Sequence, residues 1–401
     1  MNAGMKVRLL YVCGVSLTLV CGCGSRSPVT ALTVKSPEVK PDRSVTLRYY
    51  APNAGKVMLN AEFGWAKPLE KGPDGVWTIT VGPLEPDIYA YWFNVDDGAP
   101  VLDTANCWVR PNLQYLWSLV HVPGPAPLLW DIQDVPHGTV HHHLYRSQSI
   151  GDDRDFYVYT PPGYDPSAAV RYPVLYLLHG FGDEAVSWTA AGRSHVIMDN
   201  LIAQRKARPM LIVMPLGYGR PANEAVGWMK RHATDRDIWL EGKGAPEDLA
   251  LWSKFITGFR DALLGEVMPQ VETLYRVDTS RESQAIAGLS MGGTQSLFTG
   301  LNRLDRFAWV GAFSSGTVPK PDGSFGVDFP GLDVRTNPPL RLLWLGCGKD
   351  DFILRQSRQL HEMLTGKGVT HTYVETAGDH TFLVWRRYLA EFATLLFRPG
   401  E

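Results

Sequence analysis

Six residues constrain this chain more than any other stretch. Gly288-Leu289-Ser290-Met291-Gly292-Gly293 stands directly after a strand-like run at 284–287 and directly before a helical one at 294–301. A serine hydroxyl is a poor nucleophile; a sharp strand-to-helix turn holds it exposed at a sheet end, and flanking glycines permit the tight backbone path. The context supports this reading. From about Thr139 onward, strand-like runs at 173–178, 210–214, 284–287, 309–313, 340–345 and 370–375 alternate with helical ones such as 252–274 and 352–364. Such alternation predicts an α/β fold, a mostly parallel sheet with helices on both faces. Trp385, Tyr388, Phe392 and Leu396 come later at helical spacing, which predicts a last helix packed on that sheet.

A serine nucleophile needs a base to take its proton and an acid to orient that base, and in this fold they come in the order serine, acid, histidine. His361, His371 and His380 are the histidines after Ser290. The first falls in a helical run and the second in a strand-like one. His380 lies in the loop Ala377-Gly378-Asp379-His380 just past a strand end, where catalytic groups of α/β sheets collect. The acid should also come after a strand, and Gly346-Cys347-Gly348-Lys349-Asp350-Asp351 offers two adjacent candidates, Asp350 and Asp351. Spacing does not choose between them, since either could instead cap the next helix. An oxyanion needs backbone N–H donors: Met291, after the nucleophile, and Phe181, in the loop Leu178-His179-Gly180-Phe181-Gly182, fit that role. His179 is read as shaping this loop.

Ahead of this unit, residues 34–111 read as short strands separated by turns. Tyr89, Tyr91, Phe93 and Val95 share one face of a strand, and closely spaced strands without helices predict a small immunoglobulin-like β-sandwich. Residues 112–138, with Pro123-Gly124-Pro125 and Pro127, read as a linker, and 139–398 as the catalytic unit. Trp65, Trp77 and Trp92 could form a sugar platform or pack the core.

Residues 1–23 read as an export signal: Lys6 and Arg8 precede an apolar stretch, and Val20-Cys21-Gly22-Cys23 resembles a bacterial lipobox ending at a lipidated Cys23. An ordinary cleaved signal peptide is the alternative. Either reading puts the mature chain outside the cytoplasm, as a membrane-anchored lipoprotein or a secreted protein. Cys107 and Cys347 remain, and both are expected to be buried and free. No spacing suggests a structural metal, and successive residues of His141-His142-His143 would point to opposite faces of a strand. With 39 basic and 41 acidic side chains the net charge is −2, which gives no electrostatic reason to expect nucleic acid.

Several motifs together resemble the esterase D family, and within it carbohydrate esterase family 1, over residues 140–397. They are Tyr157-Val158-Tyr159-Thr160-Pro161-Pro162-Gly163-Tyr164, Tyr172-Pro173-Val174-Leu175-Tyr176-Leu177-Leu178-His179-Gly180, Ala287-Gly288-Leu289-Ser290-Met291-Gly292-Gly293 and the Gly346 to Asp351 loop. The resemblance implies an α/β-hydrolase with Ser290 as nucleophile, His380 as base and Asp351 as the acid, because the family pattern ends its loop at the second aspartate. It also implies aromatic positions near the cleft at Trp188 and Trp385, for each of which plain packing is an equal alternative. No metal or organic cofactor is implied. The segment 51–54, the turn 74–77 and the run 89–103 resemble the E-set domains related to family CBM48 that precede some esterases.

The activity implied by the resemblance is that of a serine ester hydrolase releasing ferulate or related hydroxycinnamates from xylan, with plant cell-wall polysaccharide esters or small aryl esters as substrates. Acetyl xylan esterase and siderophore esterase are the rival enzyme readings. A carbohydrate-binding surface lipoprotein with an inactive hydrolase domain is the non-enzyme one. The segment 217–249 is longer than compact members require, so the pocket is expected to be built differently there.

Overall fold

The computed structural model describes residues 34–232, 245–316, 318–319, 325–326 and 340–398. Its N-terminal part is two antiparallel sheets. One runs in the order Glu38–Val39, Val45–Tyr50, Val76–Val81, Glu70–Lys71; the other runs Gly64–Pro68, Val57–Ala61, Asp87–Val95, Trp117–Val122, Val109–Arg110. Val45, Leu47, Leu59, Trp77, Tyr91 and Phe93 fill the space between them.

The strand Asp87–Val95 is buried on both faces. Tyr89, Tyr91 and Phe93 enter the sandwich core, as their alternation predicts, while Ile88 and Ala90 join the core of the α/β unit. The sequence showed one apolar face because small Ala90 carries little of the second.

Two expectations fail in the folded chain. Residues 112–138 are not simply a linker: Trp117–Val122 pairs with Asp87–Val95 as a central strand of the second sheet. Ser118 and His121 interrupt its apolar run, so its identity depends on a partner far away in sequence. Cys107 is exposed, not buried, in the loop that precedes Val109–Arg110, whereas Cys347 is buried; both are free.

The α/β unit carries an eight-stranded sheet in the order Thr139–Arg146, Asp153–Thr160, Leu211–Pro215, Val174–Leu178, Gln284–Leu289, Trp309–Phe313, Leu342–Gly348, Thr372–Thr376. The first two strands form an antiparallel edge and the other six are parallel. Most of the parallel strands are buried along their whole length, as expected where helices cover both faces. From Val174–Leu178 the chain first turns to one side, to Leu211–Pro215, and then crosses to the other, to Gln284–Leu289. That change of direction opens a crevice at the carboxyl ends of these central strands.

The helical run expected at 252–274 contains a π turn, Leu263–Val267, between Pro246–Ala262 and Met268–Leu274. Pro269 has no N–H for an ordinary helical bond to residue 265, and the widened turn absorbs that loss.

The two units are locked together by charge. Arg386, fully buried on the C-terminal helix Phe382–Leu395, donates to Asp87 Oδ1 at 2.7 Å and to the carbonyls of Ile88 and Ala191. Arg387 reaches the other oxygen of Asp87, and Arg110 pairs with buried Asp183 at 2.6 Å.

Candidate active site

Ser290 sits between the strand Gln284–Leu289 and the helix Met291–Asn302 with φ 52° and ψ −117°, a conformation that a non-glycine residue adopts only when its surroundings impose it. Those surroundings are visible. Ser290 N donates to Phe313 O at 2.8 Å, and Ser315 Oγ donates to Ser290 O at 2.8 Å. The helix start presses against the neighbouring strand end, where a Cβ on Gly292 would lie 2.5 Å from Leu178 O and 2.6 Å from His179 O.

His380, in the loop before the C-terminal helix, donates from Nδ1 to Asp351, with both carboxylate oxygens at 3.0 Å. This bond fixes the tautomer and leaves Nε2 as the acceptor. Trp385 stands edge-on to the imidazole, ring centroids 4.9 Å apart, and is itself held by its indole N–H on Ser314 Oγ.

The Asp351 side chain is completely buried, and Ile353 N–H also donates to it. Burial pushes its carboxyl upward, but the hydrogen bond and charge of His380, with further donors, outweigh this and hold it below the ordinary carboxylate range. Asp350 is exposed to solvent, and of the two candidates that spacing left open it is Asp351 that accepts from His380.

Ser290 and His380 line one cavity of about 200 Å³. Gly180, Phe181 and Gly182 form its second side. Their loop is held by Gly182 N–H on Tyr218 Oη, by Leu113 N–H on Gly182 O, and by the Arg110–Asp183 pair. His179 lies beneath: Nδ1–H donates to Gly180 O and Nε2 accepts from Gly217 N–H, both at 2.8 Å. Its burial favours the neutral ring. It shapes the loop, as expected.

Phe181 and Met291 share an aromatic backing. Trp228 and Trp252 stack at 5.5 Å behind Phe181, and Met291 packs in the same cluster as Tyr218 and Phe255. Part of the long segment 217–249 thus supports the two residues expected to form the oxyanion hole. Trp239 and Cys23 lie outside the described residues.

Trp188 is corrected: it is wholly buried, its indole N–H bonds Leu178 O, and it does not reach the cavity. His371 precedes the strand Thr372–Thr376 and pairs with His361 at 2.8 Å, and neither lines the cavity of Ser290. Among the described residues no group of three His, Cys, Asp or Glu side chains could hold a metal ion, and no helix is long and apolar enough to cross a membrane.

Sequence reasoning missed the third wall. Arg110, Asn112, Gln114, Tyr115 and Trp117 come from the N-terminal unit and line the same cavity as Ser290 and His380. The run Asn112-Leu113-Gln114-Tyr115-Leu116-Trp117, rich in aromatic and amide groups, was the available signal.

A buried carboxylate, an oriented histidine and an elbow serine on a central parallel sheet define an α/β-hydrolase with a serine hydrolase constellation. The chain belongs to the Esterase family, described as "Putative esterase", which matches residues 147–395. It is 27% identical over 372 residues to an "Endo-1,4-beta-xylanase/feruloyl esterase" of Xylanibacter ruminicola, covering 90% of this chain and 46% of that protein. The chain therefore spans about half the length of that relative. Among solved structures it resembles a ferulic acid esterase of Anaeromyces mucronatus, with TM-score 0.53 and 24% identity over 68% of this chain and 95% of the other. It also resembles the enterobactin esterase of Shigella flexneri, with TM-score 0.59 and 16% identity over 88% of this chain and 92% of the other. Both structural likenesses concern the fold.

Proposed function

We propose that this chain is a serine carboxylic-ester hydrolase that releases ferulate or a related hydroxycinnamate from a plant polysaccharide ester. The observation that carries the proposal is the convergence of elbow Ser290 with the His380–Asp351 pair in one cavity with an aromatic rim of Phe181, Tyr115, Trp117 and Trp385. A planar arylalkenyl acid has flat faces to lay against such a rim.

In the proposed reaction Ser290 Oγ attacks the ester carbonyl while His380 Nε2 takes its proton. Asp351 stabilises the imidazolium that forms. The negative oxygen is held by the backbone N–H groups of Met291 and Phe181. His380 returns the proton to the leaving sugar hydroxyl as the C–O bond breaks. Water, deprotonated by the same nitrogen, then cleaves the acyl-enzyme and frees the acid.

The relative from Xylanibacter ruminicola aligns with 90% of this chain, including most of the N-terminal unit, and its name pairs xylan cleavage with feruloyl ester cleavage. The likeness to the enterobactin esterase also extends beyond the α/β unit, which makes a siderophore-type aryl ester the second reading to separate. The proposal places the mature chain outside the cytoplasm, anchored through Cys23 or secreted, because the basic and apolar residues before Cys23 have the pattern of an export leader.

One experiment tests these points: methyl ferulate, an aryl acetate, acetylated xylan and a dihydroxybenzoyl-serine ester offered to wild type and Ser290→Ala, using fractionated cells that express the full chain. Ferulate release in the membrane or extracellular fraction is expected, with a loss of roughly 10³-fold or more in the variant. Acetate or dihydroxybenzoyl release without ferulate release overturns the acyl assignment. Activity confined to the cytosol overturns the export assignment.

A further inference from the structure

The turn Phe313-Ser314-Ser315, at the carboxyl end of the strand Trp309–Phe313, joins the separate parts of the proposed machinery. Phe313 O and Ser315 Oγ hold the backbone of Ser290 from two sides, each at 2.8 Å. Ser314, between them, is tied to the acid instead. Its N–H donates at 2.7 Å to Gly346 O, on the strand Leu342–Gly348 that leads into the loop of Asp351.

The Ser314 side chain is wholly buried and engaged on two sides. The Trp385 indole N–H donates to Ser314 Oγ at 2.9 Å. A hydroxyl has one proton to give and two lone pairs, so an indole that donates to it leaves that proton for another acceptor. The acceptor is the Asp351 carboxylate. Against the burial that pushes this carboxyl up, the Ser314 hydroxyl joins the His380 and Ile353 N–H groups in holding it below the ordinary range. Trp385 and Asp351 both touch the catalytic imidazole, one edge-on with ring centroids 4.9 Å apart and the other through Nδ1.

The backbone gives separate support. Ser314 has φ 51°, in the left-handed region where glycine is the residue without steric cost. A side chain kept there, in a position that no water reaches, points to a contact that the side chain must make.

We infer that Ser314 is a positioning residue for the ester hydrolysis, its hydroxyl tying the Asp351 carboxylate and the Trp385 ring into one frame around His380. The inference rests on the serine-hydrolase reading above. Ser314 does not line the cavity of Ser290, so it acts through its two partners and not on the substrate. Without the hydroxyl, Trp385 loses its acceptor and Asp351 loses a donor. The imidazole is then held in a looser orientation, and the carboxylate, its charge less neutralised, stabilises the imidazolium more strongly. The first change lowers kcat; the second raises the pH at which His380 becomes the neutral base.

The test uses Ser314→Ala and Ser314→Gly in the full chain, on methyl ferulate and on a nitrophenyl acetate, with kcat taken per serine titrated by an organophosphonate. Alanine keeps the left-handed strain and glycine removes it. In both variants kcat is expected to fall roughly tenfold or more, with KM within about threefold. The acid limb of kcat/KM should move up by about 0.3 pH unit or more. In an Asp351→Asn background, adding Ser314→Ala should cost only about threefold or less, because the residue acts mainly through the acid. An unshifted limb with the same loss in both backgrounds would mean a merely structural serine and overturns the inference. So does wild-type kcat in both variants, or activity recovered by glycine but not by alanine. If Asp351→Asn is costly while Ser314→Ala is silent, the inference alone fails. If Asp351→Asn is itself silent, the acid assignment fails and takes the inference with it. Hydrolysis of the acetate without the ferulate overturns only the acyl assignment, and the acetate kinetics then decide on Ser314.

Discussion

Asp350 and Asp351 are neighbouring carboxylates in different surroundings. Asp351 is turned inward, where the His380 N–H and the Ile353 amide hold it ionised; Asp350 faces solvent and contributes its backbone N–H to Gly378 O. An amide at 351 has no charge to stabilise the imidazolium, and its NH2 can donate to Nδ1 and so favour the tautomer that blocks Nε2. Asp351→Asn is therefore expected to lower kcat on methyl ferulate by roughly 10³–10⁴-fold, with KM changed far less. Asp350→Asn should stay within about twofold. Comparable losses in the two variants, measured on preparations with matching melting curves, would remove Asp351 from the proposed role. The sequence singles out Ser290 and His380 because each sits in a short local motif beside a strand end. Choosing between the aspartates needed either a family pattern or the fold, since the deciding contact is with a residue 29 positions away. Trp188 shows the limit of composition: an aromatic residue is equally at home in a core or a cleft, and only packing told which.

At the level of elements, the central parallel strands were legible because each is a nearly unbroken apolar run, whereas Trp117–Val122 was not, because polar Ser118 and His121 break its run and its pairing partner lies far off in sequence. The elbow was legible for a different reason: its glycines answer to close backbone approach. A Cβ on Gly292 would lie so close to the carbonyls of Leu178 and His179 that a methyl group there must push the helix Met291–Asn302 away from the neighbouring strand. Gly292→Ala is expected to cost about 1–3 kcal/mol of stability and to lower kcat, because the displaced helix carries Ser290 and Met291 with it. Gly366, at the end of the helix Leu354–Gly366, has open space around its Cβ position and supplies the control. Gly366→Ala should leave urea midpoint and activity near wild type. If Gly292→Ala were equally silent, the close approach at the elbow would not be what positions the serine.

For the whole molecule, the seam is where two units act as one. It holds the fully buried Arg386, the doubly engaged Asp87 and, near both, Glu62, whose carboxylate accepts the Ala90 N–H at 2.7 Å. Burial pushes Glu62 up from the ordinary 4.5 to about 7, against the pull of that amide and of Arg386 and Arg110, with Asp87 adding to the rise. Because the folded chain holds this proton more tightly than the unfolded one, the group favours folding most below its unfolded value. That advantage declines as pH rises from about 4.5 and is lost once pH passes about 7. Glu62→Gln keeps an acceptor for the amide and removes the titration. Urea unfolding at pH 5 and pH 8 should therefore show the variant gaining on wild type by roughly 1–3 kcal/mol between the two conditions. Parallel pH profiles would mean that Glu62 ionises without cost in the folded chain, and the seam would then owe its pH response to other groups. A seam that loosens above neutral pH would also release the wall formed by Arg110, Tyr115 and Trp117, so kcat/KM for polymeric substrate should fall over the same range in wild type and less in Glu62→Gln.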